Sequence, residues 1–310
     1  MLLITAWFHF SFSDFQYAFL SILLEGLPFL LGGAILSGLL EEFLPQALMT
    51  QLLPKNPRIA IIVSGLLGVI FPVCECGIVP VVRRLLKKGL PVSCGITYML
   101  AAPIVNPLVI LSTLAAFRGQ GAWEMTILRF GLGLTVAILA GWIVSCFAPF
   151  SILRPGLLAP DNDHEHNHSG SGGMLDRLQN AASVATRDFL DVAVYFVIGA
   201  AAASLFSTAV NQEIILPLAA NPPLAIVSLM GLAAVLSVCS TTDAFIAATL
   251  TTFPMAAKLA FLVFGPMLDF KLLFLYGAAF SKRFILSLAL GLFVVIGLLC
   301  WRLSALNLAW

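Results

Sequence analysis

Charge is scarce in this sequence. Only 10% of its 310 residues are Asp, Glu, Lys or Arg, against 60% hydrophobic, whereas a soluble domain carries roughly 25% charged residues. That shortfall excludes an ordinary soluble domain and predicts an all-α polytopic membrane protein. An excess of one sign is missing too. The formal net charge is +1, so there is no electrostatic reason for a nucleic-acid partner. The six cysteines are scattered over apolar segments, and their spacing resembles no secreted disulfide framework. The opening "MLLITAWFHF" lacks a positive n-region and a small-residue cleavage site, so no removable signal peptide is expected. Enzyme signatures are also absent. Without G-x-x-x-x-G-K-[ST], energy coupling is expected from an ion gradient or a separate ATPase subunit. Neither H-E-x-x-H nor a G-x-G-D-like pair of acids occurs, and no histidine lies in an expected membrane span to act as a base. Two cysteines one residue apart close only a strained ring.

What is present is long apolar runs. A hydrocarbon core of roughly 30 Å needs about 20 residues of helix, and six runs qualify: about 15–40, 94–117, 124–148, 184–208, 256–280 and 284–304. Two more, about 59–90 and 222–252, are apolar but interrupted. The one strongly polar stretch, "RPGLLAPDNDHEHNHSGSGGMLDRLQN", reads as a solvated linker. The expected organisation is a first membrane repeat over 1–148, a cytoplasmic His-containing linker over 149–182, and a second repeat over 183–310.

The halves repeat one another. "NPRIAIIVSGLLGVIFPVCECG" from Asn56 aligns with "NPPLAIVSLMGLAAVLSVCSTT" from Asn221 and puts Cys74 on Cys239. "APIVNP" aligns with "GPMLDF", so Pro103 meets Pro266 and Asn106 meets Asp269; upstream, Glu25 meets Asp191. Repeats with matching interrupted segments mark secondary transporters, whose sites form at the repeat interface. Ile59–Phe71 is about 20 Å of helix, too short to cross, and Pro72, Gly77 and Pro80 should break it, with Val81–Lys88 as a basic return arm. Reading both interrupted segments as re-entrant hairpins gives each half three spans and inverts the second half. Lys55, Arg58, Arg83, Arg84, Lys87, Lys88, Arg154, Arg177, Arg187, Lys282 and Arg283 then share one face, leaving Arg118, Arg129, Lys258 and Arg302 opposite. Two full crossings mix the charges more evenly. The positive-inside rule therefore favours hairpins, with the linker in the cytoplasm and both termini outside.

Irregular backbone at membrane depth is tolerated only where protein buries it or a cavity meets it. The first hairpin tip offers Cys74, Glu75 and Cys76; the second offers Cys239, Ser240, Thr241, Thr242 and Asp243. Apart from Asp243, and together with Asn106, these are the expected substrate contacts. Glu25, Asp191, Asp243, Asp269 and Lys271 are the expected proton or cation sites, since an acid at mid-membrane costs roughly 2.5–3.5 kcal/mol on insertion scales. Lys271 reads as the only base deep in a span, and a neutralising Asp269–Lys271 pair is the plain alternative, although neighbours two apart on a helix do not face each other. Thiolates suit a soft, thiophilic centre rather than a hard cation, with core packing as the alternative for each cysteine. Cys94, Cys146 and Cys300 read as small buried hydrophobes. His164, His166 and His168 in "DHEHNH" could hold zinc or copper loosely; a merely solvated loop is equally consistent.

At "PVCECGIVP", "APIVNP" and "CSTTDAFIA" the sequence resembles the predicted-permease family of YraQ type, which includes permeases exporting trivalent organoarsenicals. The likeness spans nearly the whole chain except the linker. It implies a multi-pass permease of the bacterial inner membrane, with thiols able to exchange onto arsenic in the arsenical branch. Membrane lipid is an expected partner and no cofactor is expected, a bound metal ion staying open. The His-rich linker is not part of that likeness and favours metal handling. A metal-ion permease served by the linker, a membrane subunit of a larger complex, and a homodimer all stay open.

Overall fold

The computed structural model describes residues 11–43, 54, 56–147, 152–154, 174–209, 219 and 221–305. Twelve α-helices lie among them. Six lengths are long and apolar enough to cross a membrane. These are α1 (Phe12–Phe43), α4 with α5 (Val92–Val105 and Pro107–Ala116), α6 (Ala122–Ser145), α7 (Met174–Ala209), α10 with α11 (Met255–Met267 and Phe270–Tyr276) and α12 (Lys282–Ala305). They coincide with the six predicted runs. Only α7 differs much, beginning at Met174 inside the stretch read as linker, with Asp176 in its first turn to favour the helix dipole. Two shorter apolar helices, α2 (Pro57–Ile70) and α8 (Pro222–Leu236), are each followed by a break and a short helix, α3 (Ile78–Lys87) and α9 (Thr242–Thr249).

The breaks follow from local chemistry. Asn56 accepts from Arg58 N (3.1 Å) and Pro57 fills the first helical position, so α2 starts there. It stops at Phe71 because Pro72 cannot continue it. Pro80, expected to break the chain, instead lies in the first turn of α3, where a missing N–H leaves no helix bond unmade. The second break opens at Ser237, the only non-glycine with positive φ among the described residues (φ 49°). In the two kinked spans, Pro103 and Pro266 come just before an extended residue. That residue then caps the next helix: Asn106 accepts from Leu108 N (2.9 Å), and Asp269 from Leu272 N (2.6 Å). The two positions aligned by sequence do the same local task.

Packing fixes helix directions. Gly65 of α2 lies against Thr97 and Ala101, and Gly68 against Ala102 and Val105, so α2 and α4 run parallel. Leu86 near the end of α3 sits against Gly95 near the start of α4, so α3 runs back toward the level at which α2 began. α2, α4 and α6 pack mutually, as do α8, α10 and α12. α1 and α7 pack antiparallel: Gly26 meets Phe196 at one end, and Gly38 meets Ala181 and Ala185 toward the other. The tip enters this frame through a backbone contact. A Cβ on Gly33 of α1 would lie 2.1 Å from Gly77 O, so glycine is required for α3 to begin there. Large apolar side chains such as Tyr17, Leu24, Leu286 and Leu290 remain exposed on α1 and α12, as suits a lipid-facing surface.

Charges gather where α1 ends and α7 begins. Arg84 pairs with Asp188 (2.9 Å) and Glu41 (3.4 Å), and Ser37 donates to Asp188 (2.5 Å). Lys88 reaches Glu41 (3.6 Å), Arg177 reaches Glu42 (3.7 Å), and Arg83 reaches Asp191 (3.4 Å). Arg83 and Arg84 tie α3 to both long helices, and Arg177 ties those two to each other.

Candidate functional site

The two breaks meet inside the bundle. Glu75, 1% exposed, accepts from Ser240 Oγ at 3.1 Å. Its other oxygen, Oε1, lies 3.6 Å from Lys271 Nζ, and so does Asp269 Oδ2. Lys271 donates its hydrogen bond to Ser237 O (3.1 Å), the carbonyl freed where α8 ends. Glu75 Oε1 and Asp269 Oδ2 therefore face one ammonium without accepting any hydrogen bond among the described residues. The sequence argument that residues two apart cannot face each other does not apply here. Asp269 is extended (φ −135°, ψ 176°) rather than helical, which turns its carboxylate toward Lys271.

A second buried pair closes the tip from the other side. Arg129 of α6, 2% exposed, holds both oxygens of Asp243 (2.9 and 3.0 Å) and also donates to Ser240 O (3.0 Å) and Thr113 Oγ1 (2.8 Å). The sequence reading put Arg129 among surface charges and made Lys271 the only deep base; both statements are corrected by this pair. A sign was available, because Arg129 falls well inside a run read as a span, and an ionisable residue there is a functional candidate by default. Both carboxylate oxygens face the one nitrogen Nη2, a charge-assisted contact, and it anchors the start of α9.

Beside this network is a crevice of about 10 Å³, room for roughly one water. Cys74, Cys76 and Cys239 all line it, with Glu25, Glu75 and Lys271. Cys76 is buried, whereas Cys74 and Cys239 are half-buried. Gly77 N approaches Cys74 Sγ (3.4 Å), and Cys239 Sγ lies 2.9 Å from Thr241 Oγ1 and 3.5 Å from Thr242 Oγ1. Thr242 in turn donates to Glu25 Oε1 (3.4 Å), joining α1 to the second tip. Among the described residues, no three His, Cys, Asp or Glu side chains are grouped as a metal site.

The profile of a family described as "Predicted permease" matches residues 11–301. The chain belongs to that family. It is 40% identical over 287 residues to the UPF0718 protein YcgR of Bacillus subtilis, which covers 92% of this chain and 95% of that protein. It is 37% identical over 270 residues to a Streptococcus mutans protein named as a subunit of a two-component membrane permease complex, covering 87% and 88%. No solved structure matches. With six spans and this family, the protein is a multi-pass permease of the bacterial plasma membrane rather than an enzyme.

Within the permease, the remaining predicted site residues separate. Asn106 is buried at its helix cap, where its side-chain oxygen is already committed to Leu108 N. Asp191 is not beside Glu25. Its side chain is 63% exposed and pairs with Arg83 in the charged cluster, because α1 and α7 run antiparallel and carry aligned residues to different depths. Asp188, one turn away on α7, is the buried acid there. Of the cysteines read as packing residues, Cys94 and Cys300 are buried, but Cys146 is exposed at the end of α6. His164, His166 and His168 lie outside the described residues.

Proposed function

We propose that this permease moves a soft, thiophilic small solute through a site shared by two inverted repeats. The observation that carries the reading is the placement of Cys74 and Cys76 from one break and Cys239 from the other on a single crevice. Sulfur ligands suit soft metals and metalloids, and the family resemblance points to trivalent organoarsenicals as the class to try first. Inversion is supported by two contacts. The aligned helices α1 and α7 run antiparallel, and the shift of 165 that aligns the halves carries Glu75 onto Ser240, its hydrogen-bond partner. Equivalent residues touch each other only near a two-fold axis.

The crevice is too small for any solute beyond water, so the described arrangement is a closed one. Opening it requires the tips to part, and the charged cluster around Arg84 and Asp188 is the contact that must loosen on that side. The charges suggest how opening is driven. Three buried acids, Glu75, Asp243 and Asp269, face two buried bases, Arg129 and Lys271. The unbalanced negative charge is the natural place for a proton or a monovalent cation, and Glu25 at the crevice is a fourth acid within reach. Efflux then becomes exchange of that cation for cargo across the rocking halves.

The test is transport of a trivalent organoarsenical into everted membrane vesicles. Serine at Cys74, Cys76 and Cys239 should each abolish uptake while protein levels in the membrane persist. Wild-type transport by all three variants would reduce these cysteines to packing residues and end the thiophilic reading. A second reading, that the permease works with a separate component, is favoured by the name of the Streptococcus mutans relative. It predicts a stable partner retained on mild-detergent purification, whose removal silences transport by the intact chain.

A further inference from the structure

Away from the crevice, an apolar groove of about 280 Å³ lies between α6 and α12. Val136 and Ile143 of α6 form one wall, and Leu288 and Val295 of α12 the other. We propose that this groove holds one acyl chain of an anionic phospholipid, with the lipid phosphate on Arg283.

Length is the first reason. From Arg283 to Val295 the helix rises about 18 Å, close to the roughly 15 Å of one leaflet's hydrocarbon. The groove thus reaches from the headgroup level to about the midplane. Charge is the second. Arg283 lines the groove, and among the described residues no carboxylate pairs with it. α12 contains no Asp or Glu, and α6 contains only Glu124, in its first turn at the far end. Arg154 is differently placed: it donates to Tyr195 Oη and to Gly277 O (3.2 Å). Among the described residues that leaves Arg283, with Lys282 beside it, as the exposed positive charge at the groove. It also lies on the face that charge asymmetry gives to the cytoplasm, where anionic lipids draw basic residues.

Floor shape is the third reason. A side chain added at Gly291, which lines the groove, would meet nothing within 4 Å. The space is open rather than closed by packing, and a glycine inside a helix without a packing reason is a cost the chain carries for some other end. Here it keeps the floor low enough for a chain of methylenes.

The experiment uses the full-length protein in detergent, examined by native mass spectrometry with equal amounts of phosphatidylglycerol and phosphatidylcholine. Wild type should retain one phosphatidylglycerol with at least a tenfold preference. Arg283→Gln should lose that preference and bind both lipids alike. Gly291→Leu, which fills open space and replaces a poor helix former with a good one, should lose both lipids at unchanged helicity by circular dichroism. Three results would overturn the proposal: equal retention of the two lipids by wild type, undiminished lipid on Gly291→Leu, or a dimer that Gly291→Leu dissociates, which would make a second copy the occupant. None of these outcomes bears on the cysteines of the crevice.

Discussion

At the residue scale, the buried charges set the terms. An isolated charge taken from water into the bundle costs several kcal/mol, and a partner with good geometry offsets most of it. Arg129 has that geometry toward Asp243, so removing one member should hurt more than removing both. Arg129→Met is expected to lose about 3–5 kcal/mol, read as a fall in apparent melting temperature in detergent. Arg129→Met with Asp243→Leu should recover most of the loss; a double variant as unstable as the single one would mean that the site tolerates only its native charges. Ser237 offers the opposite case. A left-handed serine costs about 1–2 kcal/mol, so Ser237→Gly should raise stability by roughly 1 kcal/mol, while leaving in place the backbone carbonyl that Lys271 needs. Strain of this kind is often kept at parts that move. The gain in stability should therefore accompany slower transport.

At the element scale, hydropathy and proline placement made most of the architecture legible. The six spans and the two short helices stand where the apolar runs and their interruptions put them. Finer features depended on facts that periodicity does not carry. Whether Pro80 ends a helix or begins one turns on where the preceding break starts, and only the Gly33–Gly77 contact fixes that point. Asp269 could be brought to Lys271 only by leaving the helix, a backbone choice invisible in residue spacing. Arg129 was visible but misread, because a span end and a span interior differ by a few residues in an apolar run. The aligned halves put Cys74 on Cys239, and the two cysteine-bearing breaks line one crevice. The glycine contact yields its own prediction. Gly33→Ala should push α3 from α1 and reduce the folded fraction by size-exclusion chromatography, whereas Gly32→Ala, whose Cβ meets nothing within 4 Å, should be neutral. Equal behaviour of the two variants would disprove the close docking.

At the scale of the whole molecule, the directions of α2, α3 and α4 carry a topological expectation. The α5–α6 turn and the start of α7 should lie on opposite sides of the membrane. In a background without native cysteines, Gln120→Cys should react with an impermeant thiol reagent on intact cells, and Met174→Cys only after the cells are opened. Labelling of both from outside would undo the hairpin assignment.

The contact between Glu75 and Ser240 also bears on how such a chain arises. A residue on a two-fold axis faces its own counterpart, so a symmetric pair of identical subunits would set glutamate against glutamate in a dry interior, a repulsion that forces one of them to hold a proton. Joining two copies in one polypeptide lets each side of the axis mutate alone. On the inverted-repeat reading proposed above, one side would have become a hydroxyl donor, leaving the lone carboxylate to bind something else. A fused ancestor would thereby gain a chemical asymmetry at its centre that no homodimer of the same fold can hold.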